Sequence, residues 1–226
     1  HWPKDEAAAH ELIRAHGQPD QRHNNCSGKH TGFLTLARHL GAGPEYLEID
    51  HPVQRAVRDA IEDLAGEECA GYAIDGCSAP NFVLSLQGFA RALSSFAVAS
   101  ETGGARGAAM TRLVGAMAAH PDYVAGEGRA CTRLMRAMEG RAAIKTGAEG
   151  VFAAIIPEKR LGIALKIEDG ATRAAEAAIA QLLVGAGVLD AEHPEARSLM
   201  HGPICNWRGI ETGHMEVAGD LARWAA

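Results

Sequence analysis

The sequence predicts an α+β fold, with helices packed on a small antiparallel sheet in a single domain spanning 1–226, and three observations carry that reading. Apolar residues recur at helical spacing over most of the chain. Between 142 and 167 the pattern changes to three short apolar runs separated by glycine-bearing or charged turns, as adjacent antiparallel strands require. No repeat, low-complexity stretch or linker breaks the chain.

The elements follow in order. Asp5 to His16 reads as a short helix stopped by Gly17, and Gln18 to Lys29 as a polar loop rich in His, Asn and Gly. Phe33, Leu34, Ala37 and Leu40 then share one helical face before Gly41, so a helix is predicted from about Lys29 to Leu40. The pairs His51-Pro52, His120-Pro121 and His193-Pro194 each precede a plausible helix, where proline in the first turn loses no needed donor; these histidines read as structural. Residues from Val53 to Leu64 and from Phe82 to Ser100 read as helices, the second apolar around its circumference and therefore expected in the interior. A helix from Ala108 to Ala119 and a tight loop from Val124 to Gly128 come next. The three predicted strands are Ala142 to Lys145, Val151 to Pro157 and Leu161 to Ile167. An alanine-rich helix from Ala171 to Val184 closes the pattern, with Asp169 or a neighbour expected to cap its start.

Composition narrows the function. A chain of 226 residues with 47% hydrophobic content can bury a substantial core. Its net charge is −6, and its 22 Lys and Arg are scattered among 28 acids without a basic block, so nucleic acid and anionic membrane are poor partners. A small polar substrate suits it better. Five cysteines (Cys26, Cys69, Cys77, Cys131, Cys205) are an odd number at irregular spacing, which argues for reduced thiols in the cytoplasm rather than a secreted disulfide framework. No apolar run reaches the roughly 18 to 20 residues of a membrane span.

Two clusters carry chemistry. Cys26 and Lys29 lie three residues apart across Gly28, and Asp75-Gly76-Cys77 offers an oxygen and a second thiol. Two sulfurs and a nitrogen fill three positions of a tetrahedral zinc site and leave a fourth open, provided the lysine is neutral; isolated cysteines are otherwise small core residues. His30 is either a donor beside that site or an ordinary residue of the helix start. Lys145-Thr146-Gly147 at the end of an apolar strand matches the Lys-Thr-Gly strand of serine β-lactamases and penicillin-binding proteins, though an exposed strand end explains it equally well. The usual companions Ser-x-x-Lys and Ser-Asp-Asn are absent. Arg129, after Gly126-Glu127-Gly128, offers a guanidinium for carboxylate recognition or is part of a solvated turn. Cys69, Cys131 and Cys205 show no pattern.

Read together, Asn24-Asn25-Cys26-Ser27-Gly28-Lys29-His30-Thr31-Gly32, Asp75-Gly76-Cys77-Ser78-Ala79-Pro80, His120-Pro121 before Val124-Ala125-Gly126, and Lys145-Thr146-Gly147-Ala148-Glu149-Gly150-Val151 resemble the inducible, thermolabile L-asparaginase II family of the Rhizobium etli type. The segment from Leu161 to Ile167, with Asp169-Gly170 and Arg173-Ala174, extends the resemblance, which runs from about Arg22 to about Trp207. It implies a serine β-lactamase-like fold and hydrolysis of L-asparagine to L-aspartate and ammonia. It also implies Cys26, Lys29 and Cys77 as ligands of a Zn2+ cofactor, with Asp75 beside the metal and Lys145 near a nucleophilic serine. Asp75, His30 and Arg129 are the candidate substrate-binding groups and Lys145 the catalytic one. The family's Ser-x-x-Lys has no counterpart in these residues, so the chain, which opens at His1-Trp2-Pro3, reads as N-terminally incomplete and inactive alone. A homodimer is the usual assembly for soluble enzymes of this type. Two alternatives stand: a non-catalytic domain in which zinc staples loop to sheet, and a penicillin-recognising serine hydrolase.

Overall fold

The computed structural model describes residues 1–224, and the chain folds as two compact units, His1–Ser85 and Leu86–Ala226. The first unit holds α1 (Glu6–Arg14), α2 (Ser27–Leu40), α3 (Pro52–Ala65) and a hairpin of β1 (Tyr72–Ile74) and β2 (Pro80–Phe82). Each helix carries a chemical reason for its limits. The Asp5 carboxylate accepts the Ala8 N–H at 2.8 Å and so caps α1. Gly41, at a φ of 63°, takes the left-handed conformation that closes α2. His51 Nδ1 accepts the Val53 N–H at 3.2 Å, and Pro52 occupies the first turn of α3. Val53, Ala65 and Ala79 are fully buried. In the hairpin Tyr72 faces Phe82 and Ile74 faces Pro80.

The second unit opens with α4 (Leu86–Ala97), α5 (Ala99–Thr102), α6 (Gly104–Ala119), α7 (Pro121–Ala125) and α8 (Ala130–Ala137). Then come β3 (Ala143–Thr146), β4 (Val151–Ile156), β5 (Leu161–Lys166), α9 (Thr172–Gly185), α10 (Pro194–Met200) and a second hairpin, β6 (Pro203–Cys205) with β7 (Glu211–His214). The central sheet is antiparallel in the order β3-β4-β5, with Lys145 opposite Ala153 and Ile155 opposite Gly162.

The α+β class is therefore as the sequence predicts, and burial explains the strand pattern. Along β4 the side chains alternate: Phe152, Ala154 and Ile156 join the main core with Leu134 and Met135 of α8 and Ile179 and Leu183 of α9. Ile155 faces the other way, into a smaller cluster with Ala97 of α4 and Val114 of α6. Helices thus cover both faces of the sheet. A strand buried on both sides reads as a continuous apolar run rather than an alternating one.

Some predicted elements shift. The helix expected from Phe82 begins at Leu86, because Phe82 pairs in β2; it ends at Ala97, and a separate turn of helix follows. It lies with one face on β4 and β5 instead of being enclosed on all sides. The loop predicted from Val124 is partly the end of α7. Both hairpins and α8 were not foreseen: the hairpin strands run only three or four residues, too short for periodicity to register. Asp169 accepts the N–H of Ala171, the residue before α9, and so orders the approach without capping the helix itself. His193 caps α10 as His51 caps α3, with Nδ1 accepting the Glu195 N–H at 3.1 Å, whereas His120 makes no such bond before α7 and rests edge-on against Tyr123.

Candidate functional site

In the first unit two chain segments 46 residues apart in sequence meet at one point. Cys26 is the residue before α2, held there by its N–H donating to Asn24 Oδ1 at 2.8 Å. Lys29 follows one turn on. Opposite them, residues 75 to 79 form the hairpin turn: Asp75 N–H donates to Ala79 O at 2.9 Å, and Ser78, at a φ of 70°, donates its N–H to Asp75 O at 2.8 Å. This turn brings Asp75 and Cys77 toward α2. One ligand atom each from Cys26, Asp75 and Cys77 lies within 4.8 Å of the others. Lys29 Nζ donates to Asp75 Oδ2 at 3.3 Å, and the Cys77 thiol donates to the same oxygen at 3.3 Å.

The electrostatics follow from this crowding. Burial pushes the Cys26 thiol up, and the neighbouring Cys77 and Asp75 add to it, while the Lys29 ammonium pulls the other way. For Lys29 burial favours the neutral amine, but the bond to Cys77 and the nearby thiols and carboxylate outweigh it and raise its affinity for the proton. Burial works against an ionised Asp75 as well, yet bonds from Cys77, the Gly76 N–H and Lys29 hold its carboxyl below the ordinary range. Without a metal the cluster is an ammonium paired with a carboxylate between two thiols.

That donor set fits zinc. Two sulfurs, an amine and a carboxylate suit a borderline-soft ion that takes four ligands, and the sulfurs disfavour magnesium or calcium. A bound cation would replace the protons on Cys26 and Lys29. Neither Gly28 nor Gly76 is needed to avoid a clash, since an added Cβ meets nothing within 4 Å at either. Gly28 also lies inside α2 and not in a turn.

His30 sits beside this cluster and turns away from solvent. Its Nδ1 is 2.8 Å from the Tyr46 hydroxyl, its ring packs edge-on against Phe33 and Tyr46, and its Nε2 is buried without a partner. Burial first, and the Lys29 charge second, hold its imidazole below the ordinary value, so it is neutral at pH 7. Tyr46 is fixed in turn by Gln54, a fully buried side chain whose Nε2 donates to the Tyr46 carbonyl at 2.7 Å. This support is not legible in the sequence, because Tyr46 and Gln54 belong to no motif.

Lys145 and Arg129 belong to the second unit. Lys145 is exposed on β3 between buried Ile144 and half-buried Thr146, as strand alternation dictates, and its Nζ bonds the Thr146 carbonyl. The turn after it needs glycine at 150: φ is 70°, and a Cβ would stand 2.9 Å from that of Ile167. Arg129 is the exposed residue before α8. Its neighbour Glu127 is taken by Arg136 through two bonds of 2.8 and 2.6 Å. All five cysteines are free thiols.

An α+β chain with a thiol-amine-carboxylate cluster and a Lys-Thr-Gly strand suits an enzyme that acts on small molecules. The model of the L-asparaginase II family matches residues 1–217, and the chain belongs to that family. No curated protein matches the chain. Membership makes it an amidohydrolase of the asparaginase kind, with asparagine, a small molecule, as the substrate class. Among the described residues no helix is long and apolar enough to cross a membrane.

Proposed function

We propose that the protein hydrolyses L-asparagine to L-aspartate and ammonia through a serine acyl-enzyme, with zinc bound by Cys26, Lys29 and Cys77 and Asp75 beside it. The observation that carries the zinc assignment is the convergence of Cys26, Asp75 and Cys77 within 4.8 Å, with Lys29 bonded to the carboxylate. When bound, the metal supplies Lewis acidity that orients and polarises a carbonyl.

The remaining chemistry belongs to side chains. A serine hydroxyl attacks the side-chain amide carbon and gives its proton to a neutral lysine amine; ammonia leaves with a proton, and water then cleaves the ester. Lys145, exposed on a strand of fixed register, is the proton-transfer group on this reading. Asp75, His30 and Arg129 are assigned to substrate. The His30 part of that assignment requires Nε2 to be uncovered by a small movement of its aromatic neighbours. No Ser-x-x-Lys occurs among these 226 residues, so the nucleophile is assigned to sequence outside them. We further assign residues 1–226 to one functional domain of a cytoplasmic homodimer.

Ammonia release from L-asparagine, measured beside a chromogenic β-lactam on the complete gene product and on residues 1–226 alone, tests the reading. Expected are turnover of asparagine and not the lactam by the complete product, and a rate lower by orders of magnitude for residues 1–226. Comparable rates would move the nucleophile to within these residues. A second reading has the same cluster in its favour: zinc joining the start of α2 to the hairpin turn as a purely structural staple. In that case chelation lowers the melting temperature, and metal-free protein that stays folded turns over asparagine as fast as the zinc-loaded protein.

A further inference from the structure

The strand that carries Lys145 lies at the edge of its sheet, with β4 on one side only. Gly147 N–H donates to Val151 O on the β4 side at 2.7 Å. Antiparallel alternation therefore turns the N–H groups of Ile144 and Thr146 away from β4, where an edge strand leaves donors unpaired. Here both have acceptors, and both acceptors are sulfur. Ile144 N–H points to Met135 Sδ at 3.5 Å, and Thr146 N–H to Cys131 Sγ at 3.2 Å. Cys131 and Met135 are four residues apart on α8 and so lie on the same face, directly along the strand edge. Both are closed off from water, at 1% and 0% exposure.

The post on which these sulfurs stand is itself fixed. The buried Thr132 hydroxyl contacts the carbonyls of Pro121 and Gly126, Arg136 grips Glu127, and Arg133 bonds Glu195 and Ser198 of α10. Burial pushes the Cys131 thiol up, so it stays a neutral S–H and the Thr146 N–H meets a lone pair. A serine at 131 keeps an acceptor there, but alanine or valine leaves the half-buried Thr146 donor without it.

We propose that Cys131 is a positioning residue for Lys145: its sulfur fixes the Thr146 end of β3 and with it the direction in which the lysine leaves the strand. The catalytic side of this inference rests on the role of Lys145 given above.

The test uses the complete gene product with Cys131→Ala, Cys131→Val, Cys131→Ser and Met135→Leu, reading amide hydrogen exchange at residues 144 and 146 together with kcat, KM and the pH profile. Valine fills the volume of cysteine and guards against a loss of fold in the alanine variant. Cys131→Ala and Cys131→Val should speed exchange at Thr146 about tenfold and lower kcat about tenfold with KM within about twofold, the scale of one lost hydrogen bond. The pH–rate limb that Lys145 sets should shift, and Cys131→Ser should restore all three. Met135→Leu should speed exchange at Ile144 and leave kcat within about twofold. Unchanged exchange at Thr146 in both apolar variants, faster exchange with normal kcat, or a serine variant no better than alanine would each overturn the proposal. A Lys145→Ala protein with full turnover would instead remove the functional reading, while exchange at Thr146 still decides whether Cys131 holds the strand.

Discussion

Gly162 of β5 lies directly against the backbone of Ser94 in α4. Its N–H donates to Ser94 Oγ at 3.0 Å, and a Cβ built on it would stand 2.2 Å from Ser94 N and 2.6 Å from Ala90 O. Helix and strand approach here as closely as their main chains allow, so the glycine is required by contact and not by its φ. Gly162→Ala should destabilise the second unit by about 3 kcal/mol, the upper end of the usual cost of overpacking, because backbone and not a flexible side chain must give way. A urea midpoint unchanged from the parent at equal m-value would show that α4 can shift away freely.

Lys145→Ala in the complete enzyme should lower turnover by at least about 10²-fold, the scale of losing a proton-transfer group. Its side chain is exposed and, among the described residues, bonds the neighbouring Thr146 carbonyl alone, so no stability change accompanies the loss. Steady-state ammonia release, with circular dichroism to check the fold, decides it. Near-normal turnover would return Lys145 to a strand-end role.

What was legible in the sequence divides along physical lines. Gly41 after a helical face marks the end of α2, and the apolar runs around 142, 151 and 161 mark β3, β4 and β5, because burial on both faces of a sheet leaves no alternative composition. Cys26, Lys29, Asp75 and Cys77 were visible as clustered chemistry within two short segments, and folding brings those segments together. Tyr46 beneath His30 and Cys131 beside Thr146 were invisible, since each meets its partner 15 or 16 residues away through tertiary packing with no repeating spacing to betray it. The helix predicted from Phe82 began four residues early for a related reason: strand pairing with Tyr72 outweighed local helical pattern.

Elemental analysis of protein purified without chelator should give about one zinc per chain, and Cys26→Ser or Cys77→Ser should abolish it, since serine is a poor ligand for a soft site. Binding should release protons, because the raised pKa values of Cys26 and Lys29 leave both protonated in the free cluster, and affinity should therefore rise with pH. No zinc on purification and none taken up from solution would discard the site.

Glu176, in the second unit, supplies a pH test. It sits half-buried on α9, and burial raises its carboxyl above the ordinary 4.5 in spite of the opposing charges of Arg129 and Arg133. A carboxyl with a raised folded-state pKa favours the folded protein when protonated. Its contribution is present in full below about 4.5 and is lost as pH rises through the folded value, beyond which the ionised group is a constant penalty. Glutamine at this place is neutral at every pH. Glu176→Gln should therefore match the parent in thermal stability near pH 4, exceed it at pH 7, and show the difference growing between those limits before it levels off. Melting curves of both proteins across that range measure it directly. A glutamine variant less stable than the parent at pH 7 would mean that the two arginines, and not burial, govern the carboxylate.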